Sequence, residues 1–350
     1  MFKIGLDLGY GYTKGINDNN KEILFPSIIS MDMGFSPLDS SSDIFKKHKE
    51  FNIRTVQENL KISISNCIDR REFLVGENAR NESNSSNLLD NNKIKSIETK
   101  VLLAASSVLL FPHDKVPVNL ITGLPINQIR SQKQEFKDML MKYKAVVSLP
   151  EYNIEKLIKF DKVDILPQGT GAVYASIWND IKKYTIPNTY ILFIDWGYKT
   201  IDYIVFSINS NGVPKLAGNF SGSLNNGMFQ IGNDANMAFQ SKTGQMLEVG
   251  FLNQLVADGK TWFDGSWVDI SKELNLIEDD RARKVKAALK SKLADIIDKI
   301  AVTFIGGGGG ITMYPYLKDF SSNTQLVDDA QMGNAKGYKL IADIRDKMQK

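Results

Sequence analysis

Twice in this chain an apolar strand runs into Asp-X-Gly, turns, and resumes as a second apolar strand. In the first copy, Phe2, Ile4 and Leu6 alternate with Lys3 and Gly5, the period of a β-strand. They lead into Asp7-Leu8-Gly9-Tyr10-Gly11-Tyr12-Thr13-Lys14 and a second strand over 13–16. In the second copy, Tyr190-Ile191-Leu192-Phe193-Ile194 leads into Asp195-Trp196-Gly197-Tyr198-Lys199-Thr200-Ile201-Asp202 and a strand over 203–206. Glycines in such turns let backbone N–H groups reach a phosphate without a Cβ in the way. An aspartate at the strand end is placed to hold magnesium, directly or through water, and Lys14 adds positive charge. One copy alone is better read as an ordinary hairpin with a solvated Asp and Lys. Two copies point to a duplicated half-domain, with two acidic hairpins expected to face each other across a cleft.

The rest of the composition narrows the class. At 350 residues the chain can form two domains with separate cores, and 43% hydrophobic with 24% charged residues is ordinary for a globular protein. A net charge of +3 is too small to argue for direct binding of DNA or an anionic membrane. The longest apolar run, 101–111, contains Ser106 and Ser107 and is too short to span a bilayer. The first residues run straight into a strand, so no signal peptide is expected. Cys67 is the only cysteine, which fits a reducing cytoplasm. With only His48 and His113, a His/Cys metal site or a Ser-His-Asp triad has few possible members.

Along the chain, 23–26 reads as a third strand, 31–42 as a loop, and 60–65 with 72–75 as a hairpin. The polar stretch 81–92 reads as a surface loop. A mostly buried helix is expected over 96–111, stopped by Pro112, then a central strand over 116–122 followed by Gly123-Leu124-Pro125. An amphipathic helix follows over 127–144, then strands over 153–160 and 162–166. Gln168-Gly169 opens a helix from 172 to about 183, where the chain is expected to cross into a second domain. Gly222, Ser223, Asn226 and Gly227 form either a nucleotide-contacting loop or a connector into a helix from 233. Val285, Leu289, Leu293, Ile296 and Ile300 make the apolar stripe of a long helix over 280–300. A strand over 301–305 meets five glycines, Gly306 to Gly310, before a helix from Thr312 with Pro315 in its first turn. Exposed backbone between a strand and a helix suits a flat ring and its phosphates. The residues from 338 to 348 carry one apolar helical face, expected to dock on the first domain.

Asp7-X-Gly9-X-Gly11-X-X-Lys14, Gln168-Gly169, Asp195-X-Gly197-X-X-Thr200-X-Asp202 and Gly306–Gly310 together resemble the nucleotide signature of the actin, Hsp70 and sugar-kinase superfamily. Within it the chain is most similar to the ParM/StbA-type bacterial actins that segregate plasmids. The stretches Phe25-Pro26-Ser27, Val75-Gly76-Glu77-Asn78-Ala79, Thr122-Gly123-Leu124-Pro125 and Asn334-Ala335-Lys336-Gly337-Tyr338 support this. The resemblance implies an α/β, actin-like two-domain fold, with duplicated ribonuclease-H-like mixed sheets flanking a nucleotide cleft. Domain I would be 1–166, completed by 325–350, and domain II 167–324. It further implies an ATPase that takes ATP, with GTP as the alternative, and Mg²⁺. Asp7 and Asp195 would hold the hydrated metal, and Gln168 would orient the attacking water. The turns Gly9, Gly11, Tyr12, Thr13, Lys14 and Gly197, Tyr198, Lys199, Thr200 would cradle the phosphates. Gly306, Gly307, Gly308 and Gly309 would form the adenosine loop, with Gly307 and Gly308 bordering the base and Gly227 on the ribose side. The chain departs from the family at bulky Trp196 and Tyr198, where small residues are common.

The implied partners are further copies of the chain in a filament, and a ParR-like DNA-binding adaptor that links the filament to plasmid DNA, with no membrane partner. Three other readings compete. An archaeal-type actin-like filament protein shares several of these stretches. A small-molecule kinase of the same superfamily would need an acceptor-side acid between the phosphate motifs, where Asp161 and Asp164 lie. A scaffold that binds nucleotide without hydrolysing it would be indifferent to loss of Gln168.

Overall fold

The computed structural model describes residues 1–32, 51–65, 70–80, 82, 84–87, 93–112 and 116–348. Cys67, His48, His113, most of the loop expected over 31–42 and much of the polar stretch 81–92 lie outside the described residues. The chain divides into two compact units. One holds Met1–Leu124, Gln128–Gly171 and Asn334–Lys350; the other holds Pro125–Asn127 and Ala172–Gly333. Apart from the short excursion Pro125–Asn127, the chain changes unit after Gly171 and after Gly333; the sequence reading divides it after 166 and 324.

In the first unit the strands are β1 (Phe2–Leu8), β2 (Tyr12–Asn17), β3 (Glu22–Pro26), β4 (Ile28–Met31), β5 (Leu60–Ser65), β6 (Arg70–Val75), β7 (Ser86–Asn87), β8 (Val118–Leu124), β9 (Lys144–Leu149), β10 (Ile154–Lys159) and β11 (Lys162–Pro167). They form a five-stranded sheet in the order β11-β8-β1-β2-β3 and a six-stranded sheet in the order β10-β9-β5-β6-β4-β7. Strand β8 lies between two parallel neighbours, β1 and β11, and is buried at every residue, which is why it reads as a continuous apolar run. The helix Ile97–Leu110 touches strands of both sheets. Covered on both sides, it has no polar face, and eleven of its residues, from Thr99 to Leu110, are buried. Ser96 starts it by accepting the Thr99 N–H at 3.3 Å, and Phe111 ends it in extended backbone before Pro112.

The second unit carries β12 (Tyr190–Trp196), β13 (Ile201–Ile208), β14 (Pro214–Leu216), β15 (Gly222–Leu224), β16 (Lys260–Phe263), β17 (Ser266–Asp269), β18 (Ile300–Gly306) and β19 (Thr324–Leu326). Its main sheet runs β14-β13-β12-β18-β19. The path repeats that of β3-β2-β1-β8-β11: an antiparallel hairpin whose first strand pairs in parallel with a later strand, which pairs in parallel with a last one. The duplication inferred from Asp-X-Gly is therefore a duplication of sheet topology. The helix Met228–Thr243, the helix Ser271–Lys292 and the helix Gly310–Leu317 bury Ile231, Val285, Leu289 and Met313 in the core of this unit.

Several expected boundaries move. Strand β9 was not expected, because Lys144–Leu149 follows the helix Ile126–Lys142 with no turn residue between them. Strand β8 starts at Val118 and runs on through Gly123 and Leu124, past the end expected at Thr122. The stretch 84–87 is not wholly loop, since Ser86–Asn87 pairs with β4. The helix after Gln168 is broken into Thr170–Ile177 and Ile181–Tyr184 by a 3₁₀ turn. The helix expected from 233 begins at Met228, with Gly227 as its N-cap. The helix expected over 280–300 is Ser271–Lys292; Leu293, Ile296 and Ile300 are buried as foreseen, but from tight turns and the start of β18. Pro315 sits inside the helix Gly310–Leu317 rather than in its first turn. It leaves the Ile311 carbonyl without its helical donor, at a residue 61% exposed. The helix Gly333–Met348 belongs to the first unit. Among the described residues no helix is long and apolar enough to cross a membrane.

Candidate functional site

The two hairpin turns are built alike. In β1–β2, the Gly9 N–H donates to the Tyr12 carbonyl at 3.2 Å; in β12–β13, the Gly197 N–H donates to the Thr200 carbonyl at 3.0 Å. A Cβ at Gly9 or at Gly197 would lie 2.7 Å from that same carbonyl, so both turns need glycine for close approach. Asp7 and Asp195 sit two residues before these glycines, each on the first strand of its hairpin.

In the first unit Asp7 is 3% exposed and both its oxygens are engaged. Lys14, directly opposite in the register, places Nζ 3.4 Å from Oδ2. Gln168 donates Nε2 to Oδ1 at 3.0 Å. A carboxylate can only accept, so this bond fixes the polarity of the Gln168 amide. Its NH₂ end serves Asp7, and its carbonyl oxygen is the end able to accept from a water. Gln168 is itself held, its N–H donating to Leu124 O at 2.8 Å, while the neighbouring Gly169 N–H donates to Asn334 Oδ1 at 2.9 Å. Ser27, between β3 and β4, secures the turn: its Oγ donates to Gly9 O at 2.7 Å and lies 3.0 Å from Thr13 Oγ1. Thr13 is fully buried, whereas Gly11 and Tyr12 stay half-buried at the turn surface.

In the second unit Asp195 is half-buried, as are Gly197, Tyr198, Lys199 and Thr200. Trp196, the bulky departure, does not crowd the turn: its side chain is fully buried in the core of this unit. Tyr198 packs edge-on against Phe229 at 5.8 Å. Asp202 accepts from Ser223 Oγ, and from Thr200 Oγ1 at 3.5 Å. Gly227 abuts this turn, giving its N–H to Lys199 O at 3.3 Å. The next two N–H groups, of Met228 and Phe229, donate to Gly197 O and Tyr198 O at 3.0 and 2.8 Å. The helix start therefore fixes the turn, a role that no local pattern marks.

The five glycines divide by environment. Gly306, Gly307, Gly309 and Gly310 are buried, and Gly308 is exposed. Gly307 has φ +84°, and a Cβ there would fall on the Asp195 carboxylate. Gly309 donates to Trp196 O at 2.9 Å, and a Cβ on it would strike Met228 and Trp196. The run thus folds against the second acidic turn and presents Gly308 outward.

Asp161 accepts from the Val118 N–H at 3.0 Å and pairs with Lys159, which together lower its pKa; Asp164 pairs with Lys162 and with Arg345. Both carboxylates serve the sheet edge. Among the described residues no group of three or more His, Cys, Asp or Glu could hold a metal.

Two family models match the chain: "Actin like proteins N terminal domain" over residues 5–171, and "Archaeal actin homologue MreB-like, C-terminal" over residues 193–319. No curated protein sequence matches it significantly. Among solved structures, a 15-stranded ParM filament from Clostridium botulinum shares 33% identity, covering 98% of this chain and 99% of that one, with a TM-score of 0.87. A non-polymerisable quadruple mutant of pCBH ParM shares 32% over 98% and 99%, with a TM-score of 0.85. An archaeal actin homologue in complex with ADP is 21% identical over 98% and 100%, at 0.78, and shares the fold. With one sheet topology used twice, an Asp-X-Gly hairpin in each copy, and about a third of its residues shared with ParM over nearly the full length of both chains, this chain belongs to the ParM-type bacterial actins.

Proposed function

We propose that the protein is a nucleotide-driven, filament-forming ATPase that moves plasmid DNA through a ParR-like adaptor bound to a centromere-like site. The observation that carries the reading is the matched construction of the two turns, together with the bond from the Gln168 amide to the Asp7 carboxylate on the first strand of the first of them. Backbone N–H groups of the turns at Gly9–Lys14 and Gly197–Thr200 receive the phosphates of ATP, or of GTP. Asp7 and Asp195 are the carboxylates that would each hold a hydrated magnesium ion, which would supply positive charge to the phosphates. Gln168 cannot act as a strong base; it positions the attacking water, and positioning dominates phosphoryl transfer. Gly308 offers open backbone beside the base. The ADP complex of the archaeal homologue supports a nucleotide ligand, and the filament of the Clostridium botulinum relative supports assembly from identical copies. A cytoplasmic location follows from that role.

Sedimentation and light scattering with Mg-ATP, Mg-GTP and Mg-ADP test it. Assembly with triphosphate and release of phosphate are expected; no polymer at any concentration or with crowding agents sinks the filament reading. Co-sedimentation of an adaptor–DNA complex with the polymer tests the segregation role.

A further inference from the structure

The stretch Asn334-Ala335-Lys336-Gly337-Tyr338 opens the helix Gly333–Met348, and neither acidic turn includes any of it. Asn334 and Tyr338 stand one turn apart on one face of that helix, and both are buried. Their face lies against residues 168–171. A Cβ on Gly171 would strike the Asn334 carbonyl and the Tyr338 ring, and one on Gly123 would strike the Tyr338 hydroxyl and lie 3.1 Å from Gln168 Cγ. Strand β11 ends at Pro167, and the Gln168 N–H prolongs its ladder by donating to Leu124 O at 2.8 Å. Gly169 then leaves the ladder at φ +88°, a left-handed conformation that suits glycine. Its buried N–H finds an acceptor in Asn334 Oδ1 at 2.9 Å, 165 positions along the chain. A buried N–H is costly to leave unpaired, so this bond holds the peptide between Gln168 and Gly169 in one orientation. Gln168 is therefore fixed on one side by the sheet, at its amide by Asp7 and on the other side by Asn334. A rotation of that peptide turns the Gln168 Cα–Cβ bond and is carried to the amide oxygen at the end of the side chain. A displacement of about 1 Å there can cost on the order of a hundredfold in rate.

We propose that Asn334 is a positioning residue for hydrolysis: through the Gly169 N–H it holds the peptide that follows Gln168, and with it the orientation of the Gln168 amide, while Tyr338 backs the same turn. This rests on the reading of Gln168 as the residue that orients the attacking water. Single-turnover phosphate release at saturating Mg-ATP, with Mg-ATP titration and urea unfolding in parallel, is measured for the full chain carrying Asn334→Ala, Gln168→Ala or both. Asn334→Ala is expected to slow release about tenfold with Mg-ATP affinity within about threefold, and to change release less than about twofold once Gln168 is already alanine. Unchanged release in a folded Asn334→Ala protein overturns the proposal. So does a loss that repeats in full in the Gln168→Ala background, or a loss of affinity as large as the loss of rate, since either comes from damage not routed through Gln168. If Asn334→Ala does not fold, Asn334→Ser takes its place under the same criteria; if neither folds, Asn334 holds the fold and the proposal falls. An unmodified protein that releases no phosphate, or that is indifferent to Gln168→Ala, removes the reading of Gln168 and this inference together. Release slowed by Gln168→Ala but not by Asn334→Ala removes only the inference.

Discussion

A glutamine 161 positions away from an aspartate can be assigned a direction only when the hydrogen bond between them is known. With Nε2 committed to Asp7, Gln168 offers oxygen to water, so its removal should slow hydrolysis more than binding. Gln168→Ala is expected to lower the rate of phosphate release by about ten- to a hundredfold, with Mg-ATP affinity within about threefold. Single-turnover phosphate release beside equilibrium titration checks this, and an unchanged rate would favour a scaffold that binds without hydrolysing. Gly307 carries a different burden. At φ +84°, with the Asp195 carboxylate where a Cβ would stand, Gly307→Ala should destabilise the second unit by about 1–3 kcal/mol and displace Asp195. Urea unfolding reads the first effect and weakened Mg-ATP binding the second; Gly308→Ala, in open space, should leave stability nearly unchanged.

At the scale of elements, caps and edges decide more than propensity. Ser96→Ala removes the cap of the helix between the two sheets of the first unit and should cost about 1 kcal/mol in urea unfolding. Strand β10 places Lys156 against the end of that helix, with Nζ donating to Phe111 O at 2.6 Å. Burial, then the charge of Lys21, lowers its pKa to about 8. The folded state thus gives up this proton more readily than the unfolded chain, whose lysine titrates near 10.5. Below pH 8 both states carry the charge and the folded state bears its full cost. Between about 8 and 10.5 the unfolded state binds more protons, and stability rises with pH. Relative to Lys156→Met, the unmodified protein should gain about 1 kcal/mol across that window, a figure discounted for the solvent that still reaches the side chain. Parallel urea titrations at pH 7.5, 9 and 10.5 measure the difference; a flat difference would show that Lys156 is not perturbed.

For the whole molecule, the matching paths of the two main sheets account for the Asp-X-Gly pattern occurring twice, since each copy ends the first strand of the same hairpin. If both turns serve one nucleotide, Asp7→Asn and Asp195→Asn should each abolish nucleotide-dependent assembly while leaving the protein folded. Sedimentation and circular dichroism together test this, and assembly that survives either change would separate polymerisation from the site.

By itself the sequence determined what depends on neighbours along the chain. Alternation in Phe2–Leu8 and the apolar run Tyr190–Trp196 marked the central strands, because side-chain direction in a strand repeats every two residues. Glycine and aspartate at fixed offsets marked the turns, because only close backbone approach requires that spacing. Strand β9 left no such mark, since Lys144–Leu149 continues from a helix without a breaking residue. The contacts of Ser27, Ser223 and Asn334 left no such mark either: each acts on a backbone or side-chain group distant in sequence, which local periodicity does not register. Tertiary structure alone chose which of five glycines faces outward, turned the Trp196 ring into the core, and bound the start of the helix Met228–Thr243 to the second turn. Those choices follow from packing and hydrogen-bond satisfaction across the fold, which no local pattern encodes.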